Sequence, residues 1–167
     1  IGVPAEAVEA VGVRENVLTH SEAGRLLPAR AADGHKGTFG RVVVIAGSAG
    51  YTGAAALAST AALRSGAGLV TLGVPVGLND IMETKLTEVM TRALAETPER
   101  TLSSGALPVI REMLASADAL ALGPGLSRNG ETQEVVRSLV ADMESPAVID
   151  ADGLNALSAD SIGERNG

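Results

Sequence analysis

The sequence predicts an α/β domain: a mostly parallel sheet with helices on both faces. Three observations predict it. Short apolar runs alternate with longer helical stretches, the rhythm of successive βαβ units. The runs are continuously apolar, as strands covered on both faces require. Finally, 46 % of the 167 residues are hydrophobic, yet the chain has one Phe, one Tyr, no Trp and 20 Gly. Such a core is built from Ala, Val, Leu and Ile at close range, which suits helices lying tightly on a sheet with glycine at the reversals.

Residues 1–17 have weak periodicity and read as a linker or arm. Thr19 followed by Glu22 spells a capping box that opens a short helix ending at Pro28. Ala29–Gly40 is polar and Gly-rich and reads as loop. Arg41–Ala46 is the first strand, Gly47–Gly53 a Gly-rich turn, and Ala54–Ser65 an Ala- and Leu-rich helix. Leu69–Val74 is the second strand, between Gly68 and Pro75. Residues 78–86 read as helical and 87–94 as ambiguous. Ser104–Ser116 is an amphipathic helix with Ser103 or Ser104 at its N-cap. Ala119–Leu122 is a third strand running into Gly123-Pro124-Gly125. Glu131–Met143 is a helix, and Ala147–Ile149 a fourth strand ending at Asp150-Ala151-Asp152-Gly153. Four strands make a thin doubly wound sheet, and the final SADSIGERNG reads as loop, so more sheet is expected to follow.

The net charge is −7, and the Lys and Arg residues are scattered. A nucleic-acid partner is therefore not expected, although backbone N–H groups can still hold an anionic nucleotide. There is no Cys, which excludes disulfide and thiolate chemistry and fits a reducing, cytoplasmic compartment. No apolar run is long enough for a membrane span, and the start lacks the basic region of a signal peptide. His20 and His35 have no ligand spacing and read as surface residues. Lys36 has the same reading, with phosphate contact as the alternative. No metal cluster is expected.

In a parallel sheet, ligands bind beyond the carboxyl ends of the strands. Three strands end there in unusual loops: Gly47–Gly53, Gly123–Gly125 and Asp150–Gly153. The first joins a strand to a helix, where glycines and N–H groups favour an anion. It fits neither the Walker A pattern nor G-x-G-x-x-G, and a tight turn without a ligand is an equal reading. The second is stiffened by Pro124; a rigid strand exit and a ligand contact both remain open. In the third, Asp150 or Asp152 could hold a hydroxyl or a metal-linked water, or simply cap the next turn.

Taken in order, these segments resemble the ADP/ATP-dependent NAD(P)H-hydrate dehydratases. The resemblance rests on His35-Lys36-Gly37-Thr38-Phe39-Gly40-Arg41, Val43-Val44-Ile45-Ala46-Gly47-Ser48 and Tyr51-Thr52-Gly53-Ala54-Ala55. It continues through Leu63-Arg64-Ser65-Gly66-Ala67-Gly68-Leu69-Val70, Glu88-Val89-Met90-Thr91, Leu122-Gly123-Pro124-Gly125-Leu126 and Asp150-Ala151-Asp152-Gly153-Leu154-Asn155. It covers about residues 33–158. The family implies a ribokinase-like three-layer αβα fold, here incomplete, with its C-terminal part absent. It implies repair of the S-form of NADHX or NADPHX to NADH or NADPH, driven by ADP or ATP and accompanied by Mg²⁺. The implied chemistry is phosphorylation of the hydrate hydroxyl followed by elimination.

By the same resemblance, Ala54 and Gly125 line the hydrated-nicotinamide site, Gly53 and Gly123 shape its walls, and Asp150 and Asn155 support it. The family's Pro-His-Pro-Gly-Glu segment and its Gly-Thr-Gly-Asp motif, which carries the catalytic aspartate, do not occur in this sequence. No catalytic residue is therefore assigned here, and the aspartate is expected beyond Gly167. Ile1-Gly2-Val3-Pro4 resembles the tail of the epimerase domain that precedes the dehydratase in bifunctional members. Residues 1–30 are then the expected join, and 31–167 the N-terminal portion of the dehydratase domain. A homo-oligomer, or the rest of the domain, is the expected protein partner. Two alternatives stand beside this reading: a sugar or vitamin-precursor kinase of the same superfamily, and a non-catalytic α/β binding module.

Overall fold

The structure is a computed structural model that describes residues 2–12, 17–27, 29–30 and 32–157. Pro28, the predicted helix stop, Ile1 and the terminal SADSIGERNG lie outside the described residues. The chain divides into two compact units, Ile1–Asp33 and Gly34–Gly167.

The first unit carries two short helices. α1 (Ala5–Val11) lies inside the stretch expected to be linker, and Gly12 ends it in the left-handed conformation at φ 63°. It buries no residue, so no amphipathic stripe announced it. α2 (His20–Leu26) begins as predicted: the Glu22 N–H donates to Thr19 Oγ1 at 3.3 Å, and the Thr19 N–H donates to Glu22 Oε2 at 2.9 Å. These bonds hold the Glu22 carboxyl below its ordinary pKa, because both the hydroxyl and the backbone of Thr19 favour the charged form.

The second unit is a five-stranded sheet. β1 (Arg41–Ile45) is followed by α3 (Thr52–Arg64), β2 (Leu69–Pro75), α4 (Asn79–Lys85) and β3 (Met90–Leu94). Then come α5 (Leu107–Leu114), β4 (Ala119–Leu122), α6 (Gly130–Ala141), β5 (Ala147–Ile149) and α7 (Asp152–Asn155). All pairings are parallel, in the order β3-β2-β1-β4-β5. The fifth strand is a correction: residues 90–94 were ambiguous because β3 is a sheet edge with an exposed centre.

Two apolar layers enclose the sheet. Val44 of β1 and Ala46 just after it join Ala55 of α3 and Met82 of α4 on one face. Val43 and Ile45 join Ile110 of α5 and Val135, Val136 and Leu139 of α6 on the other. The alternation along β1 sends neighbouring residues to opposite cores. The order reverses between β1 and β4, and right-handed crossovers then carry the later helices to the opposite face.

α5 begins later than predicted. Ser104–Ala106 forms a 3₁₀ turn ahead of it, and Ser103 makes no side-chain cap. Ser104 is used elsewhere: its N–H and hydroxyl donate to Glu131 Oε1 at 2.7 and 2.8 Å, tying this turn to the start of α6.

Candidate functional site

Because every strand is parallel, the three singled-out loops share one edge of the sheet. β1 and β4 are the neighbours between which the strand order reverses, the position where open α/β sheets form a ligand crevice. At this edge the loops are bonded to one another. The Gly47 N–H donates to the Pro124 carbonyl at 2.9 Å. Ser48, fully buried, donates its hydroxyl to the Gly125 carbonyl at 2.7 Å. Asp152 Oδ2 accepts the Ser127 N–H at 2.9 Å and its Oδ1 accepts the Asn155 amide at 3.1 Å. Asp152 thus braces the second loop against the third.

The glycines at this edge differ in what holds them. Gly125 has φ +69°, and a Cβ there would lie 2.8 Å from Tyr51 Cβ and 3.1 Å from Ala54 Cβ. The first and second loops therefore meet at Ala54 and Gly125, two of the residues the sequence singled out. Gly123 has φ +126°, and a Cβ there would overlap the Asp150 carbonyl oxygen at 1.9 Å; it is glycine because the third loop passes against it. Gly53 has nothing within 4 Å of an added Cβ, so packing does not require glycine there. The Asp150 side chain is exposed, and its carbonyl accepts the Gly153 N–H at 2.9 Å. Ala151 turns this corner at φ 48° and ψ −118°, a strained conformation for a non-glycine residue of the kind that gathers at functional edges. Asn155 faces Asp152 rather than standing free.

The starts of α3 and α6 both open on this edge. That of α6 is capped, since Asn129 Oδ1 accepts from Glu131 and Thr132. That of α3 begins at Tyr51 with no side-chain cap, so its first N–H groups present positive potential to a ligand.

Sequence reasoning missed Ser48, Tyr51 and the hairpin of residues 95–103. The hairpin closes through an antiparallel bridge between Glu96 and Leu102. Arg100, at φ 58°, accepts the Ala49 N–H on its carbonyl at 3.2 Å and donates its guanidinium to the Gly77 carbonyl. Buried Thr97, Thr101 and Thr132 anchor it through a hydroxyl chain with contacts of 2.8 and 3.0 Å. A short strand run followed by Pro98 gives little periodicity to detect.

A cleft of about 380 Å³ lies at the opposite edge, among Arg41, Leu69, Met90, Arg92, Glu112 and Met113. It adjoins strand amino ends, away from the crevice that parallel sheets use. Among the described residues, no three acidic or histidine side chains gather to hold a metal ion. Nor, among the described residues, is any helix long and apolar enough to cross a membrane.

Fold and edge together define a doubly wound α/β domain whose ligand crevice sits where the strand order reverses. A family model described as NAD(P)H-hydrate dehydratase matches residues 42–166. The bifunctional NAD(P)H-hydrate repair enzyme Nnr of Moorella thermoacetica is 49 % identical over 160 residues, covering 96 % of this chain and 30 % of its own length. The chain thus spans less than a third of that relative. A ribokinase-like protein of Enterococcus faecalis superposes with a TM-score of 0.68 at 23 % identity, over 86 % of this chain and 50 % of its own, and shows the fold. The Bacillus subtilis ADP/ATP-dependent NAD(P)H-hydrate dehydratase, co-crystallized with ATP/Mg²⁺, superposes with a TM-score of 0.61 at 28 % identity, over 81 % of this chain and 46 % of its own. The chain belongs to the NAD(P)H-hydrate dehydratase family.

Proposed function

We propose that this chain forms the hydrated-nicotinamide side of a nucleoside-phosphate-driven dehydratase that returns the S-form of NADHX or NADPHX to NADH or NADPH. One observation carries the reading furthest: in a member of this family, the Ala54 methyl and the side-chain-free Gly125 meet at the point where the strand order reverses. Gly125 is buried against the partly exposed Ala54, so its missing side chain lets the two loops close into a small apolar patch beside which a nicotinamide-derived ring can lie. Gly53 leaves room beside it, and Gly123 allows the third loop to close behind it. Asp150 and Asn155 stand at that third loop as supporting polar groups.

ADP or ATP is the proposed co-substrate. Transfer of the terminal phosphoryl group breaks its P–O bond to the nucleotide, which leaves as AMP or ADP, and forms a C–O–P link at the hydrate oxygen, whose proton is released. Loss of a ring proton then breaks the C–O bond, expels phosphate and restores the double bond. The base for that proton and the loop for the nucleotide phosphates are assigned to a further segment of the protein, since the family's Gly-Thr-Gly-Asp motif does not occur among these 167 residues. That segment is the proposed partner of residues 31–167. Residues 1–30 are proposed as the arm joining them to a preceding epimerase domain, and the cytoplasm as the location. Mg²⁺ would accompany the nucleotide, and no step is routed through it here.

The test is to incubate the intact protein carrying this chain with NADHX and with ADP or ATP, following dihydronicotinamide absorbance and phosphate release. NADH should appear with one of the two nucleotides and with neither omitted-nucleotide control. Phosphorylation of a sugar or of hydroxymethylpyrimidine without NADH formation would establish the kinase alternative instead.

A further inference from the structure

We propose that Tyr51 is the stacking surface for the nicotinamide-derived ring at this edge, an inference that rests on the function proposed above. The chain has one Tyr, one Phe and no Trp. It nevertheless leaves its one tyrosine in water: Tyr51 is 58 % exposed, which forfeits the large apolar burial that an aromatic ring offers a core. Its hydroxyl makes no hydrogen bond among the described residues.

The backbone beneath that ring is fixed. The Tyr51 N–H donates to the Ser48 carbonyl at 2.9 Å, and its own carbonyl accepts the Ala54 N–H at 3.2 Å. The side chain is rooted between two loops, because a Cβ on Gly125 would come within 2.8 Å of Tyr51 Cβ and 3.1 Å of Ala54 Cβ. One aromatic residue, one methyl and one bare Cα thus share a single small patch. Gly125 is buried against the other two, and Tyr51 adds an exposed π-face to the patch.

A nicotinamide that has taken up water across one ring double bond keeps a planar enamine–carboxamide unit. That unit is present in the hydrate and in the restored coenzyme alike. Stacking on it therefore stabilises substrate, transition state and product similarly. Such uniform binding lowers KM and leaves kcat nearly unchanged, a split that damage to the fold would not produce.

The experiment compares Tyr51→Phe, Tyr51→Trp, Tyr51→Leu and Tyr51→Ala in the intact protein, measuring KM for the hydrate, KM for the nucleoside phosphate, kcat and melting temperature. Base–aromatic stacking supports an effect of about tenfold. Leu and Ala should raise KM for the hydrate by about that factor, with kcat within about twofold and the nucleoside-phosphate KM unchanged. Phe and Trp should stay close to wild type. Leu matching Phe would overturn the proposal, since apolar cover would then suffice. A rise in the nucleoside-phosphate KM alone would overturn it too, as would a loss of melting temperature with no change in KM. A wild-type protein that converts no hydrate removes the function and this inference together. A second readout is the NMR resonance of this chain's sole tyrosine ring during titration with NADH. An upfield shift, with no such response in a Tyr51→Leu control, supports stacking, and an unmoved resonance contradicts it.

Discussion

Two glycines that the sequence assigns to the same site should respond oppositely to one methyl group. At Gly123 the new Cβ would sit 1.9 Å from the Asp150 carbonyl oxygen and 2.7 Å from the Gly153 nitrogen. Both neighbours are backbone and cannot rotate away. The residue also has φ +126°, outside the range of ordinary side-chain-bearing residues. Backbone strain of about 1–3 kcal/mol and forced displacement of about 1–3 kcal/mol together put Gly123→Ala at about 4 kcal/mol destabilising. With a urea slope of about 2 kcal/mol per molar, the midpoint should fall by about 2 M. Gly53 lies in the first turn of α3 with open space around its Cα, so Gly53→Ala should stabilise by about 0.5–1 kcal/mol. Far-ultraviolet circular dichroism during urea unfolding reads both, and suits a chain without Trp. A Gly123→Ala midpoint within about 0.5 M of wild type would refute the steric reasoning, as would a clear loss of stability in Gly53→Ala.

Three further outcomes follow from the bonds at and near the site. Ser48→Ala leaves the buried Gly125 carbonyl without its hydroxyl donor; unfolding should become easier by about 1–3 kcal/mol, with a raised KM for the hydrate because Gly125 loses its tether. Thr132→Val removes a buried hydroxyl bonded to Thr101 Oγ1 and to the Leu102 carbonyl at 2.7 Å; urea unfolding should show a loss of about 1–3 kcal/mol. The Glu131 carboxyl is held below its ordinary pKa, first by the Ser104 N–H and then by the Ser104 hydroxyl. Its folded value is below its unfolded value. Its contribution is therefore present above about pH 4.3 and lost as the pH falls through the lower folded value. Glu131→Gln should flatten the acid side of the stability–pH curve, and an unchanged acid slope would count against this coupling.

Three of the legible strands, β1, β2 and β4, lie inside the sheet, whereas β5 is an edge strand with Val148 exposed and was read from its short apolar run alone. Val43, Val44 and Ile45 are buried in succession, which leaves an uninterrupted apolar run. β3 escaped notice because an edge strand with exposed Arg92 and Ala93 carries no such run. α1 escaped for the corresponding reason, as a helix with no buried face. At the site, the family resemblance brought Ala54 and Gly125 into the argument, and the structure places them in contact. The sequence could not distinguish Gly123, held by a passing backbone, from Gly53, which nothing touches, because both read only as glycine in a turn. Ser48 was hidden because its partner is a carbonyl 77 positions away, and local spacing carries no trace of such a bond.

The central claim is that a nicotinamide-derived ring lies against Ala54 and Gly125. Ala54→Leu in the intact protein tests it most directly, because it fills that patch while leaving a good helix former in place. KM for NADHX should rise at least about tenfold, as overpacking a close contact by more than about 1.4 kcal/mol implies, with KM for ADP or ATP unchanged. An Ala54→Leu protein that binds and restores NADHX as wild type does would contradict the account.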